Sequence, residues 1–224
     1  MNRRDFTALG LAAVWPMAAS AQGGPVEGKH YVALSSRQPT VDPKRIEVIE
    51  FFRYSCPACH AFEPTLEPWL AKLPADMLFR RIPVDVRPPS GDAVRTTPLA
   101  KLGPMAMHQR IYFAIETLGL MDKLHRQVFT AIHVERNPMD KPELIREWAA
   151  KQGVDANKFL DVMGAFSMPP KVAQANALTA GYKIDSTPAM GVNGRWFTTG
   201  SLAGTHAQSL AVVDFLVAQA RKGG

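Results

Sequence analysis

Two cysteines three residues apart, directly after the strongest strand signal, constrain this chain more than any other feature. The run Ile46–Phe52 is rich in β-branched and aromatic residues, which is typical of a buried strand. After three residues the chain reads Cys56-Pro57-Ala58-Cys59. A helix is predicted over residues 57–73, because apolar side chains recur there at helical spacing, namely Phe62, Leu66, Trp69 and Leu73. The pattern therefore places a cysteine pair between the end of a strand and the first turn of a helix.

Residues 1–21 predict a cleaved export signal. Arg3 and Arg4 give a positive start, an apolar stretch follows, and small residues at 19–21 favour cleavage before Gln22. The apolar stretch is shorter than the ~20 residues that a membrane-spanning helix requires. The arginine pair also resembles a twin-arginine signal, and a buried amphipathic helix is the alternative interpretation. We expect an exported protein that works outside the cytoplasm, where disulfides form and persist.

The composition excludes several classes of protein. The 224 residues are 46% apolar and 21% charged, which indicates a folded chain rather than a disordered one. Two cysteines exclude a scaffold of several disulfides and a four-cysteine metal site within one chain. The net charge of +6 is scattered, with no Lys/Arg run longer than two, so no nucleic-acid partner is expected.

Strand and helix signals continue along the rest of the chain. Further strands are predicted at 29–34, 77–85, 188–192 and 195–198, the last two joined by a tight Asn193-Gly194 turn. Further helices are predicted at 98–118, with an interruption at Gly103-Pro104, and at 122–134, 142–151, 155–163, 170–182 and 209–221.

Without the middle helices, the order is βαβ followed by ββα. A cysteine pair between strand and helix in that frame indicates an α/β thioredoxin fold, a central sheet flanked by helices, with an inserted helical domain. We predict that residues 22–86 and 166–224 form the thioredoxin-like domain and that residues 87–165 form the inserted domain.

The position of the cysteines suits thiol exchange. Cys56 lies where the helix begins, and unpaired N–H groups and the helix dipole stabilise a thiolate there. Pro57 fits the first turn because it has no N–H to lose. Cys59, one turn on, is expected to face inward and resolve a mixed disulfide, while Cys56 is expected to be partly exposed. A disulfide across so short a loop adds little stability, which favours a chemical role.

Three other interpretations of the cysteine pair stay open at this point. Cys56 to His60 matches the CxxCH pattern of covalent haem attachment. A zinc site would need further ligands, and no second ligand pair has the required spacing. A purely structural disulfide is the third interpretation.

Two more positions attract attention. Thr187-Pro188 is either an ordinary strand start or a cis peptide bond beside the cysteine pair, which leaves the Thr187 backbone free to pair with a substrate strand. Glu50 stands among apolar neighbours in its strand. Either it lies buried under the cysteines, where desolvation raises its pKa and it exchanges a proton with Cys59, or it is a solvent-facing edge residue.

Together these residues resemble the DsbA-type periplasmic thiol:disulfide oxidoreductases of the thioredoxin superfamily. The resemblance covers nearly all of the chain after residue 21 and rests on Gly28-Lys29-His30-Tyr31, Val48-Ile49-Glu50-Phe51-Phe52, Cys56-Pro57-x-Cys59-His60-x-Phe62-Glu63, Leu118-Gly119 with Asp122-Lys123, Thr187-Pro188 and Val192-Asn193-Gly194. It implies a thioredoxin fold with an inserted helical domain. It also implies oxidation of cysteine pairs in exported proteins and reoxidation by a DsbB-type, quinone-linked membrane partner. No cofactor or metal is expected.

The chain departs from the family's best-known pattern at two positions. Ala58 stands where strongly oxidising members carry His, and Thr187 stands where many carry Val. Pro57, Ala58 and His60 are therefore the positions expected to tune the redox properties. A reductase or isomerase of the same fold, or a peptide-binding module with a vestigial disulfide, is the alternative function. We expect a monomer.

Overall fold

Five strands form one mixed sheet in the computed structural model, which describes residues 23–86, 88 and 96–223. They are β1 (Val32–Ala33), β2 (Ile46–Phe52), β3 (Met77–Pro83), β4 (Ala189–Val192) and β5 (Trp196–Thr199), in the spatial order β1-β5-β4-β2-β3. Strand β2 is parallel to β3 and antiparallel to β4. The export signal predicted at 1–21 lies outside the described residues and stays a prediction.

The helices of the described residues occupy the connections. They are α1 (Pro57–Leu70), α2 (Pro104–Thr117), α3 (Met121–His133), α4 (Pro142–Lys151), α5 (Ala156–Gly164), α6 (Met168–Gly181), α7 (Gly200–Ala203) and α8 (His206–Lys222), with a 3₁₀ turn at Leu99–Lys101. None of these helices is long and apolar enough to span a bilayer. Helix α1 is the crossover that a parallel β2–β3 pair requires.

This arrangement confirms the predicted thioredoxin fold with a helical insertion. The helical segment α2 to α6 lies between β3 and the β4–β5 hairpin, as the order of signals predicted. The hairpin turns at Asn193 and Gly194, whose φ angles of 51° and 67° match the tight turn expected of that dipeptide. The domain boundaries at residues 86/87 and 165/166 stay predictions.

Several element ends differ from the predicted ones. Helix α1 ends at Leu70 rather than at residue 73, and the first strand is confined to Val32–Ala33. Helix α8 begins three residues early because the Thr205 side chain accepts a hydrogen bond from the Gln208 N–H at 3.0 Å and caps it. The four-residue helix α7 was not predicted, because one turn is too short to show a helical period.

Apolar side chains cover both faces of the sheet. Val48 of β2 packs with Phe62 and Leu66 of α1 and with Leu216 of α8 on one face. The other face packs against the inserted helices through a larger cluster that includes Ile49, Phe51, Phe52, Phe129 and Trp148. Because both faces are covered, every residue of β2 after Ile46 is buried, including its two glutamates. The strand that leads into the cysteine pair is thus enclosed on both faces of the sheet.

Candidate active site

Cys56 forms the N-cap of helix α1. Its backbone is extended, with φ −89° and ψ 115°, and its Sγ accepts a hydrogen bond from the Cys59 N–H at 3.3 Å. Pro57 occupies the first helical position, where the missing N–H costs no hydrogen bond. The cysteine side chain therefore does what Ser or Asp does at an ordinary N-cap, and it does so best as an anion.

The Cys56 thiol is strongly acidic in this environment. A hydrogen bond from the Cys59 thiol is the largest influence, and hydrogen bonds from Thr187 and the Cys59 N–H and the positive charge of Arg53 act in the same direction. Burial opposes them, and the resulting pKa falls from 9.0 to about 5. At neutral pH, Cys56 is therefore a thiolate.

Cys59 shows the opposite behaviour. Burial, the hydrogen bond to Cys56 and the negative charge of the Cys56 thiolate all raise the pKa of Cys59 far above its ordinary value. Cys59 has no exposed surface, whereas Cys56 keeps 6%. The predicted order of accessibility is confirmed, but the prediction that Cys56 is partly exposed is wrong, because this side chain is buried as well. Both cysteines are free in this structure, which shows the dithiol form.

The loop before β4 contacts the cysteine pair, as predicted. The Thr187-Pro188 peptide bond is cis, and the Thr187 carbonyl oxygen lies 3.3 Å from Cys56 Sγ. Pro188 is buried, while Thr187 is half-buried. The contact joins residues 131 positions apart in the sequence, so the fold itself brings this backbone beside the sulfur.

Glu50 is fully buried, and its interpretation as a solvent-facing edge residue is wrong. Its Oε2 accepts a hydrogen bond from Arg81 Nε at 2.9 Å, while Oε1 has no hydrogen-bond partner among the described residues. Burial raises the pKa of Glu50 to about 8 despite the charge of Arg81, and the negative charges of Glu63 and Cys56 contribute to the rise. At neutral pH Glu50 is thus a neutral acid that senses the charge on Cys56.

Known proteins are similar to this chain in sequence and in structure. The profile of the DSBA-like thioredoxin domain family matches residues 47–210. The chain is 38% identical over 216 residues to the thiol:disulfide interchange protein DsbA of Bordetella pertussis, covering 96% of this chain and 94% of that protein. It is 36% identical over 214 residues to DsbA of Pseudomonas aeruginosa, covering 95% and 93%. The chain belongs to the DsbA family.

Solved structures agree with this assignment. The crystal structure of Pseudomonas aeruginosa DsbA superposes with a TM-score of 0.78 at 34% identity, covering 88% of this chain and 95% of that one. DsbA from Xylella fastidiosa superposes with a TM-score of 0.75 at 27% identity, covering 88% and 98%. The protein is therefore a thiol:disulfide oxidoreductase of the DsbA family. These similarities do not favour the interpretation of the cysteine pair as a haem or zinc site. Separately, the described residues contain no group of three or more His, Cys, Asp or Glu side chains that could hold a metal ion.

Beneath the site, this DsbA-family protein contains a buried hydrogen-bond chain that the sequence did not predict. Arg81 bridges Glu50 and Glu63 through its Nε and Nη2, the latter 3.3 Å from Glu63 Oε2. Glu63 Oε1 lies 3.4 Å from His125 Nε2, and His125 Nδ1 lies 2.9 Å from the Tyr54 hydroxyl. These contacts join four elements, β2, α1, β3 and α3, and the turn after β2, so no local sequence pattern predicts them.

The protonation states in this chain follow from its hydrogen bonds. Burial opposes ionisation of Glu63, but hydrogen bonding from His125 and the charge of Arg81 hold its pKa below the ordinary value. Burial lowers the pKa of His125 and raises that of Tyr54 well above 10.0. A neutral His125 therefore donates from Nε2 to Glu63 and accepts at Nδ1 from the Tyr54 O–H. One arginine thus faces one ionised and one neutral carboxyl group.

The three positions expected to tune the redox properties differ in their surroundings. Pro57 is exposed and Ala58 half-buried. His60 turns toward α3, where its ring stacks on His133 with centroids 4.9 Å apart and planes 10° apart. Burial and the neighbouring His133 lower the pKa of His60. A tuning role for these residues stays a prediction, and Arg53, which does act on Cys56, was missed.

Proposed function

We propose that this DsbA-family protein donates the Cys56–Cys59 disulfide to cysteine pairs of exported proteins in the bacterial periplasm. The observation that carries the proposal is the opposite acidity of the two thiols, with a pKa of about 5 for Cys56 and a raised pKa for Cys59. A thiolate stabilised to this degree favours the dithiol form, so the disulfide form is a strong oxidant.

The first step is attack by a substrate thiolate on Cys56 Sγ of the disulfide form. A bond forms between the substrate sulfur and Cys56, the bond between Cys56 and Cys59 breaks, and its electron pair passes to Cys59. Because the pKa of Cys59 is raised, this sulfur needs a proton at once. Glu50, protonated at neutral pH because its pKa is about 8, supplies that proton and regains one from solvent.

The second step releases the product. The second substrate thiolate attacks the substrate sulfur of the mixed disulfide, and Cys56 leaves as a thiolate. A thiol with a pKa of about 5 is a good leaving group, which makes this release fast. The substrate dithiol loses two electrons and the protein disulfide gains them. In the reverse direction, during reoxidation, Glu50 first loses its own proton to solvent and then accepts the proton of Cys59.

Thr187 and Pro188 guide the substrate in this proposal. Pro188 has no backbone N–H, and the Thr187 backbone is already placed against Cys56 by the 3.3 Å contact. A substrate strand that pairs with the Thr187 backbone brings its own cysteine next to Cys56 Sγ, in the manner of strand addition to an exposed backbone. Such main-chain pairing reads no particular side chain, which suits a protein that oxidises many substrates.

Reoxidation then requires a partner that accepts two electrons. A DsbB-type, quinone-linked membrane protein fits this need, and a periplasmic monomer exported by the segment 1–21 fits both reactions.

Ala58 does not itself stabilise the Cys56 thiolate, since its methyl group neither donates a hydrogen bond to Cys56 nor carries a charge. The acidity of Cys56 therefore depends on the other groups around its sulfur.

The redox potential of the Cys56–Cys59 pair, equilibrated against glutathione, tests the proposal. An oxidase has a potential toward about −120 mV, the value for DsbA, whereas a reductase lies near about −270 mV, the value for thioredoxin. We expect a value at the oxidising end, with oxidative refolding of a reduced protein faster than insulin reduction. A potential near the thioredoxin value with the opposite order of rates would overturn the proposal.

A further inference from the structure

Arg53 lies in the turn between β2 and helix α1, directly after the strand ends at Phe52. The Cys56 N–H donates a hydrogen bond to the Arg53 carbonyl at 3.1 Å, which closes the turn. The backbone of Arg53 is thereby fixed relative to the backbone of Cys56. The sequence pattern assigns no role to this residue, because an arginine after a strand is ordinary in a surface turn.

The side chain of Arg53 is not simply solvated. Its Nε donates a hydrogen bond to Thr187 Oγ1 at 3.1 Å, across 134 positions of sequence. The carbonyl oxygen of the same Thr187 lies 3.3 Å from Cys56 Sγ. Arg53, Thr187 and Cys56 therefore form a closed ring of contacts, in which Thr187 touches both the guanidinium and the nucleophilic sulfur.

The hydroxyl and the carbonyl oxygen of Thr187 make different contacts in this ring. A threonine hydroxyl has a single hydrogen to donate and two lone pairs. One lone pair of Oγ1 accepts the bond from Arg53, which fixes the Thr187 side chain. In the dithiol form the Cys56 thiol donates a hydrogen bond to the carbonyl oxygen of the same residue, so Arg53 holds, through Oγ1, the residue against which the sulfur lies.

We propose that Arg53 is a positioning residue for disulfide exchange, which holds Thr187 against the Cys56 sulfur through the hydrogen bond to Oγ1 and places a positive charge near the thiolate. The inference rests on the proposed exchange chemistry of Cys56 and assigns the source of its reactivity. The other charged or titratable groups that act on this sulfur are Cys59 and, from below, Glu50. Arg53 is the positive charge in this set, and none of the carboxylates in the described residues forms an ion pair with it.

Two local observations strengthen the assignment. The charge of Arg53 and the Thr187 hydrogen bond both appear among the influences that lower the pKa of Cys56. Ala58, the residue next to Pro57 in the active-site turn, has no group that stabilises a thiolate. The stabilising charge therefore approaches Cys56 from the β2 side of the site rather than from within the cysteine motif.

The test measures the rate of Cys56 alkylation by iodoacetamide against pH in the reduced full-length mature protein. Arg53→Met removes charge and hydrogen bonds, Arg53→Lys keeps the charge, and Arg195→Met is the matched control at the far hairpin turn. We expect Arg53→Met to raise the Cys56 pKa by about one unit, a tenfold loss of thiolate at a pH below the pKa. Arg53→Lys restores at least half of that shift, and Arg195→Met leaves the midpoint unchanged.

A double-mutant cycle tests the path through Thr187. We expect the shift caused by Arg53→Met to shrink to less than half in a Thr187→Val background, because the hydroxyl that transmits the effect is gone. An unchanged midpoint in Arg53→Met overturns the proposal, and an equal shift in both backgrounds overturns the path through Thr187. Alkylation needs no protein substrate, so these results are independent of whether the wild-type protein oxidises or reduces its substrates.

Discussion

The two cysteines of this protein lie one helical turn apart and differ in almost everything that determines acidity. Cys56 caps helix α1, where its sulfur accepts a hydrogen bond from the Cys59 N–H and lies near the charge of Arg53. Cys59 points into the apolar core and faces a thiolate. The environment of each sulfur, rather than the CxxC spacing, therefore determines whether the protein donates a disulfide to its substrate or accepts one from it.

Serine substitutions test the different roles of Cys56 and Cys59, and we expect them to have the largest effect on activity. Cys56→Ser removes the nucleophile, so disulfide donation to a reduced substrate falls to background. Cys59→Ser keeps the acidic thiol, which reacts with oxidised glutathione but has no neighbour to release the adduct. Mass spectrometry after incubation with oxidised glutathione should show a persistent adduct on Cys59→Ser and none on Cys56→Ser. An adduct on Cys56→Ser would reverse the roles of the two sulfurs.

The acidity of Cys56 also makes the reduced form more stable than the oxidised form, and this difference in unfolding free energy should increase with pH. The folded pKa of about 5 lies below the ordinary 9.0, so the unfolded dithiol binds more protons between these values. The unfolding free energy of the reduced form, relative to the oxidised form, should rise by about 1.4 kcal/mol per pH unit in that window. It is lost again as the pH falls through 5.

Urea denaturation of both redox forms at several pH values measures this difference. Glu50, whose raised pKa lowers stability between pH 4.5 and about 8, is present in both forms and largely cancels in the comparison. A gap that stays constant with pH would mean that Cys56 is not ionised in the native dithiol form.

Glu50→Gln tests the proposed role of the buried Glu50 as the proton donor to Cys59. The substitution keeps a hydrogen-bond acceptor for Arg81 but removes the proton that Cys59 needs. General acid catalysis is worth about 10²–10⁴ in rate, and we expect the oxidation step at neutral pH to slow by about 10² because water replaces part of the function. In the wild type this step should slow as the pH rises through about 8, where Glu50 ionises.

Stopped-flow measurement of the oxidation step over this pH range checks the prediction. Glu47→Gln, in the same strand but paired with Arg80 at 3.0 Å, is the matched control and should retain the pH dependence. If Glu50→Gln reacts at the wild-type rate with an unchanged pH profile, another group protonates Cys59.

Features that depend on neighbouring residues were predictable from the sequence, and features that depend on distant contacts were not. Strand β2, the start of helix α1 and the Asn193-Gly194 turn depend on neighbours in the chain, and local patterns gave them correctly. The cis bond at Thr187-Pro188 was reached through the fold, since only the thioredoxin frame places that loop near the cysteines. The strand pattern alone left Glu50 ambiguous, because both faces of β2 are buried and alternation carries no information there.

The remaining site residues depend on contacts that no pattern encodes. Arg53 meets Thr187 across 134 positions, and His125 meets Glu63 across 62. Arginine and histidine are common in surface turns and helices, so each looks ordinary until the chain is folded. The cysteine chemistry was therefore visible in the sequence, and the residues that adjust its strength were not.

Ala58→His should change the redox potential, and it is the substitution from which we expect the smallest effect. An imidazole beside Cys56 adds a donor on the helix side of the sulfur, which lowers the Cys56 pKa further. Since Arg53 already supplies positive charge, we expect a shift of about one pKa unit, equivalent to about 30 mV toward the oxidising end. Equilibration with glutathione gives the potential, and Ala61→His, one turn of α1 further on, is the control. An unchanged potential would show that position 58 does not tune this protein.

Titration of the ultraviolet absorbance of the thiolate in the reduced wild-type protein shows directly whether the two cysteines differ in acidity. We expect one thiolate that ionises with a midpoint at a pH of about 5, assigned to Cys56 by its loss in Cys56→Ser, and no ionisation of Cys59 before the protein unfolds at alkaline pH. Two thiols that titrate together near their ordinary value of 9.0 would contradict it, because the two sulfurs would then share one environment.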